Sequence, residues 1–482
     1  MVDSIPASRR WLALIVLCLG ELMICLDATI VNVALPSIRM DLGFTQTSLV
    51  WVVNAYLLTF GGFLLLGGRL GDLYGARRLF LIGIVAFTAA SLACGLARSQ
   101  QPLIWARAVQ GLGGAVVSAV ALSLITNMFT EPAERAKAMG VYGFVCSGGG
   151  SIGVLLGGAL TSSLSWHWIF LVNLPIGVFV YVLCSLLVPP TRQRPGGGRL
   201  DVAGAVIVTT ALLMAVYAIV NGNEAGWSSR QSLGLLTGAV GLLAVFLVVE
   251  ARVPEPLVPL GLFRSRSITI ANIGAVLWAA AMFVWFFITA LYLQGVLDYD
   301  AMHVAVAFLP ANLVMAVLSL GLSARLVMRF GMRIPFAGGL LLSALGLALF
   351  ADAPVTASLV SDVLPGMILL GLGCGVAFNP LLLAAMSEVE PRDTGLASGV
   401  VNTAFMMGGA LGLAILASVA GARTAHLVTV GADYRAALLG GYHIAFGLGA
   451  ACAAVAAILG AALLPPAKEA GVAAQGGASS VH

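Results

Sequence analysis

Charge is what this chain has least of. Only 9% of its 482 residues are Asp, Glu, Lys or Arg, against about 25% in soluble domains. Histidine stands at 5, and lysine occurs only at Lys137 and Lys468. The net charge of +4 includes no basic run along which a nucleic acid could lie. Cys18, Cys25, Cys94, Cys146, Cys184, Cys374 and Cys452 all fall inside apolar stretches. None forms a C-x-x-C or sits at metal spacing from a histidine, so no disulfide framework or metal site is expected. No lysine follows a glycine loop, and no H-E-x-x-H occurs, so neither nucleotide nor metalloprotease chemistry is expected. Long polar loops are missing as well. The longest are 421–440 and 250–267, too short for a soluble domain. A cytosolic enzyme, a nucleic-acid binder and a disordered scaffold are excluded on these grounds. A membrane-embedded enzyme or a sensor remains only a distant alternative.

What is abundant is apolar. Hydrophobic residues make up 60% of the chain, and the mean hydropathy is +1.04. A membrane span needs about 20 mainly apolar residues. That window predicts fourteen spans: 11–35, 48–67, 79–97, 103–126, 138–160, 168–188, 202–220, 231–249, 268–292, 303–324, 334–351, 363–386, 395–420 and 441–464. The first is read as a retained span, because no small-residue cleavage site follows its long apolar run. With both termini on the cytoplasmic side, eighteen of the 24 Lys and Arg residues fall inside and five outside. That bias is the expected one for inner loops.

The chain also repeats itself. Gly-Arg-Leu-Gly-Asp-Leu-Tyr-Gly at 68–75 is echoed by Ala-Arg-Leu-Val-Met-Arg-Phe-Gly at 324–331, an offset of 256. Gly111-Leu112-Gly113 returns as Gly371-Leu372-Gly373, and Glu131-Pro132 as Glu390-Pro391. Each pair is eight spans apart, so both copies cross the membrane in the same sense. Six spans, two inserted spans and six more account for this.

Three charges inside spans stand out, because each costs about 2.5–3.5 kcal/mol at a helix centre. Asp27 lies roughly 12 Å below the outer end of span 1, and Arg107 roughly 7 Å into span 4. If the two spans pack together, the side chains can pair. Burial disfavours a carboxylate's charged form and a nearby arginine favours it. A pair made in one conformation and broken in another would bind and release a proton; a static pair would only fix packing. Glu21 lies near the midplane on another face, as a second proton site, a contact for a cationic substrate, or a hydrogen-bonded packing residue. Gly149, Gly153 and Gly157 repeat every fourth position in span 5, with Gly158 beside them. Such a small-residue face permits close packing or sliding. Trp278, Met282, Trp285, Phe286 and Phe287 of span 9 and Phe405, Met406 and Met407 of span 13 would build an adaptable apolar pocket, with Asn32 and Asn54 as polar members, or equally a lipid-facing or packing surface.

These residues resemble a known family. Gly68-Arg69-Leu70-Gly71-Asp72-Leu73-Tyr74-Gly75-Ala76-Arg77-Arg78 resembles the cytoplasmic signature loop of the major facilitator superfamily. Arg107, Gln110, Gly111 and Gly113 are similar to its span 4 signature. Leu26-Asp27-Ala28-Thr29-Ile30-Val31-Asn32-Val33-Ala34-Leu35-Pro36 and Trp166-His167-Trp168-Ile169-Phe170-Leu171-Val172-Asn173-Leu174-Pro175 resemble the fourteen-span drug:proton antiporter branch. Val154 stands where the branch's span 5 motif has proline, Phe405 and Met406 where span 13 often has Arg-Gln, and Met328 where the first-half loop has Asp72.

The resemblance implies an all-α membrane protein of fourteen helices arranged 6+2+6. It implies one bundle over 1–190, two inserted helices over 191–260 and a second bundle over 261–466, with a disordered tail over 467–482. It assigns a cytoplasmic gate to Gly68, Asp72, Gly75, Arg77 and Arg78, and proton coupling to Asp27, Arg107 and Glu21. The implied function is proton-driven export of small amphipathic, often cationic, drugs or antibiotics through the bacterial cytoplasmic membrane. Export of an endogenous metabolite, self-made antibiotic or lipid, weakly coupled to protons or not at all, is the alternative. The proton is the only coupling ion expected, with no cofactor, metal, nucleotide or nucleic acid. The chain is expected to act as a monomer in the lipid bilayer.

Overall fold

A computed structural model describes residues 7–129, 131–189, 200–389 and 394–464. The expected tail over 467–482 lies outside the described residues. Among the described residues the secondary structure is helical throughout, with no strand. Lipid offers no partner to a backbone N–H or C=O, so apolar spans satisfy these groups internally as helices.

The first half comprises α1 (Ala7–Leu42), α2 (Val50–Tyr74), α3 (Ala76–Gly95), α4 (Gln100–Met128), α5 (Pro132–Ser163), the short α6 (Trp168–Leu171) and α7 (Asn173–Leu187). The inserted pair is α8 (Val202–Ala225) and α9 (Arg230–Arg252). The second half comprises α10 (Arg266–Gly295), α11 (Ala301–Val317), α12 (Ser323–Phe330), α13 (Arg333–Ala351), α14 (Leu364–Met386), α15 (Thr394–Thr429) and α16 (Tyr434–Leu463). Several starts are set by capping side chains. Asp201, Ser229, Ser265 and Asp300 each accept a bond from the N–H three residues on, which satisfies an orphan donor of the first turn.

Among the described residues, 13 helices are long and apolar enough to cross a membrane. The expected tenth span is the exception. Its helix α11 ends at Val317, a wider turn covers Leu318–Leu322, and α12 resumes at Ser323. The break falls at Gly321, whose φ of 149° no ordinary side chain adopts readily. At the expected tenth span the chain is therefore a broken helix, and Ala301–Val317 alone is shorter than the 13 spanning helices.

The repeat is visible in the packing. In the first half α4 lies on α2 and α3, and α1 lies on α5; in the second α14 lies on α11 and α13, and α10 lies on α15. The halves meet through α2 on α15 and α5 on α11, two contacts that the repeat interchanges. The glycine echoes serve matched positions. A Cβ on Gly111 would strike the Tyr56 carbonyl oxygen of α2, and one on Gly371 would strike the Ala311 oxygen of α11. Gly75 and Gly331 turn the chain into the following helix with φ of 93° and 74°. Gly111→Val is expected to destabilise the purified protein by about 1–3 kcal/mol, because α4 must leave α2. Thermal unfolding in detergent measures it, and an unchanged midpoint would refute that contact.

The inserted helices pack on each other, and α8 also lies against α2 and α15. Helix α9 exposes Leu233, Val240, Val245, Leu247 and Val248, as a lipid-facing helix requires. Polar ties between the halves gather near the α1–α2 loop. Gln46 donates to the Tyr442 hydroxyl at 2.6 Å, and Gln294 to the Val33 oxygen at 2.9 Å.

Candidate functional site: a buried carboxylate and its arginine

Asp27 and Arg107 meet inside the first bundle. Their relative exposures are 0% and 1%, so no solvent screens the pair. Arg107 Nη1 donates to Asp27 Oδ2 at 2.5 Å. The other carboxylate oxygen accepts from Gln110 at 2.7 Å and from Asn173 at 3.0 Å. Three donors converge on one carboxylate, the arrangement that suits its ionised form. Ser91 ties the cradle together: it receives bonds from Gln110 and Asn173, and donates to the Phe170 oxygen at 2.9 Å. The cradle thus draws on α1, α3, α4, α6 and α7.

Arg107 does not depend on Asp27 alone. It donates to the Val52 oxygen at 2.9 Å and to Gln110 Oε1 at 2.8 Å. Its guanidinium lies 4.4 Å from the Tyr56 ring centroid and 5.6 Å from that of Phe170. The arginine is thus held by partners other than Asp27.

The sequence alone assigns no role at this site to Gln110, Asn173 or Ser91. Gln110 carried a signal, since it stands one helical turn beyond Arg107. Asn173 lies in the quoted 166–175 stretch, but no local pattern aims it at Asp27. Ser91 carried no signal at all.

Glu21 stands apart. Its carboxylate accepts from the Ser118 hydroxyl at 3.0 and 2.9 Å. No ion pair reaches it among the described residues, and its oxygen lies within 4.8 Å of the Cys25 and Cys146 sulfurs. Helix α5 comes close to α1 here because of its glycines. A Cβ on Gly149, Gly153 or Gly157 would strike Cys25, Leu26 or Ile30 of α1, while Gly158 faces Ala301 and Ala305 of α11. Val154 is buried beside them. Gly149-Gly150-Ser151-Ile152-Gly153 spells a hydrolase-type G-x-S-x-G. It lies within continuous α5, not on the strand–turn–helix such a nucleophile needs.

At the signature loop, Arg77 donates to the Ser185 oxygen of α7, Arg78 is exposed, and Arg69 bonds Glu255 and Pro256 beyond α9. Around Gly68 there is room, with only Ala119 near a would-be Cβ. The side chain of Asp72 lies outside the described residues.

The expected pocket residues are mostly sealed. Trp278, Trp285, Phe286 and Phe405 are buried in the second bundle, where Trp278 meets Phe405 at 5.5 Å. Met282 and Met406 are half-buried at its edge. Asn54 donates to the Ala410 oxygen at 2.9 Å and ties α2 to α15, while Asn32 bonds only its own helix. A cavity of about 400 Å³ opens beside them, and of the expected residues Met407 lines it.

Comparison with known proteins agrees with this architecture. The sequence profile of the Major Facilitator Superfamily matches residues 17–413. The chain is 41% identical over 454 residues to the puromycin resistance protein of Streptomyces alboniger, covering 92% of this chain and 90% of that one. It is 40% identical to the cephamycin export protein of Amycolatopsis lactamdurans, over 86% and 85% of the two chains. It is 38% identical to the multidrug resistance protein Stp of Mycobacterium tuberculosis, over 85% and 75%. The fold matches the xylose transporter XylE of E. coli in a partially occluded inward open conformation. The TM-score is 0.63 at 15% identity, with 96% and 99% of the chains covered. A multi-pass helical membrane protein, built as a repeated bundle and matched by this profile over most of its length, belongs to the major facilitator superfamily.

Proposed function

We propose that this protein exports small amphipathic drugs or antibiotics, often cationic, in exchange for protons. The observation that carries the reading is a carboxylate wholly buried between an arginine and two amides, in a chain similar to three resistance or export proteins. Inward protons supply about 2.3 kcal/mol per 100 mV and about 1.4 kcal/mol per pH unit. Asp27 takes and releases the proton, and Arg107 holds it ready. Glu21, without a basic partner among the described residues, takes a second proton or faces a cationic substrate. The glycine face of α5 lets the bundles move, and the loop with Asp72 and Arg77 governs the cytoplasmic end. The ties near the α1–α2 loop must part during alternation.

The protein sits in the bacterial cytoplasmic membrane with both termini inside, and acts as a monomer without a cofactor. It is a transporter and not an enzyme. The 6+2+6 division, with the inserted pair between 191 and 260, supplies the alternating halves. A second reading, export of a self-made antibiotic, draws on the likeness to the cephamycin export protein.

The test uses everted vesicles with an acidic lumen and a panel of puromycin, lincomycin, cephamycin and ethidium. Accumulation that collapses when nigericin dissipates the pH gradient is the expected result. Accumulation indifferent to the gradient would remove proton exchange from the account. No accumulation of any compound would remove drug export.

A further inference from the structure

We propose that Glu21, Cys25 and Cys146 form a binding site for a soft divalent metal ion, of the zinc and cadmium class, between α1 and α5. This gives Glu21 a use beyond the two named above and does not rest on the proton-exchange reading. Glu21 and Cys25 stand four residues apart on α1, so they share a face. Cys146 of α5 meets that face. One carboxylate oxygen and the two sulfurs all lie within 4.8 Å of one another. Among the described residues no other three His, Cys, Asp or Glu side chains gather in this way. Gly149, about one turn beyond Cys146, sets the approach of the two helices: a Cβ there would stand 2.9 Å from the Cβ of Cys25. Glu21 is buried, while Cys25 and Cys146 keep some exposed surface through which an ion can enter.

The donor set selects the ion. Thiolates are soft donors that favour zinc and its heavier relatives. Calcium needs about six to eight oxygens, and this cluster offers one carboxylate. Donor atoms of a tetrahedral zinc site stand about 3.5–4 Å apart, so the three atoms here must close by about 1 Å at most. Three protein ligands leave a fourth position open, the pattern of an exchangeable site rather than a closed structural one. Ligating carboxylates are themselves held by hydrogen bonds. Glu21 meets this condition, accepting from the hydroxyls of Ser118 on α4 and Tyr142 on α5. Charge favours a divalent ion. Both cysteines are free thiols, and as the ion enters two thiol protons leave, so the net charge of the site does not change. A monovalent ion would leave the second thiolate uncompensated in a mostly apolar setting, which is costly.

The experiment titrates the full chain, freshly reduced and in detergent, with cadmium chloride. It reads the ultraviolet charge-transfer band of thiolate-bound cadmium and, with a pH indicator, the protons released. Wild type is expected to bind a single ion per chain saturably and to release about two protons per ion. Cys25→Ser and Cys146→Ser are each expected to weaken binding by about a hundredfold or more, and Glu21→Gln by about tenfold. Cys452→Ser removes a half-buried thiol on α16 and is expected to match wild type. Zinc is expected to displace the cadmium and calcium to leave it bound. Size-exclusion chromatography checks that each variant folds, and Cys25→Ala and Cys146→Ala replace any serine variant that does not. No saturable band in reduced wild type would overturn the proposal, as would wild-type affinity in both folded cysteine variants. Wild-type affinity in Glu21→Gln would overturn the three-donor site. Displacement of cadmium by calcium would overturn the choice of a soft ion.

Discussion

Arg107→Met is expected to destabilise the purified protein by about 3–5 kcal/mol, the cost of leaving a buried charge without its partner. Asp27 would keep two amide donors but lose its only cation among the described residues. Methionine matches much of the arginine's apolar stem, so the loss would report charge rather than volume. The double variant Asp27→Asn with Arg107→Met removes both charges and is expected to recover most of the stability, while transport stays absent. The two changes should thus be far from additive. Urea unfolding in detergent, followed by tryptophan fluorescence, measures both. A loss below about 1 kcal/mol for Arg107→Met would mean that the pair is no stronger than an exposed one.

Asp27→Asn should have the largest effect on function. Asparagine is close in shape, and its oxygen can still accept from Arg107. It cannot ionise, and its amide nitrogen would face the donors of Gln110 and Asn173. With electroneutral exchange, one pH unit sustains about a tenfold substrate gradient. The variant is expected to sustain none, while downhill movement of substrate persists at a measurable rate. Steady-state accumulation in everted vesicles at a fixed pH gradient reads this directly. Tenfold accumulation by the variant would move the coupling site away from Asp27.

Much of the fold was legible because its causes are local. Long apolar runs specify membrane helices, and the matched glycines at 111 and 371 mark where backbones touch. The break at Gly321 was not legible, since a glycine in an apolar run predicts neither a kink nor its place. Depth along the helix brought Asp27 and Arg107 within reach of each other, and the structure joins them at 2.5 Å. Asn173 and Ser91 could not be placed beside them, because that requires knowing how α3 and α7 rotate against α1. The pocket shows the same limit. Aromatic residues at 278, 285 and 405 serve as packing. Meanwhile the cavity is lined by Met407 and by near neighbours in sequence of the other expected residues, at 276, 277 and 403. Which face opens depends on where the inserted pair lies, and residue type does not encode that.

The most direct measurement places purified protein in weakly buffered detergent solution with a pH indicator. Substrate identified in the vesicle panel is then added. If Asp27 exchanges its proton for substrate, wild type will release protons in proportion to the substrate bound, and Asp27→Asn will bind substrate and release none. Equal proton release from the two proteins would contradict the account.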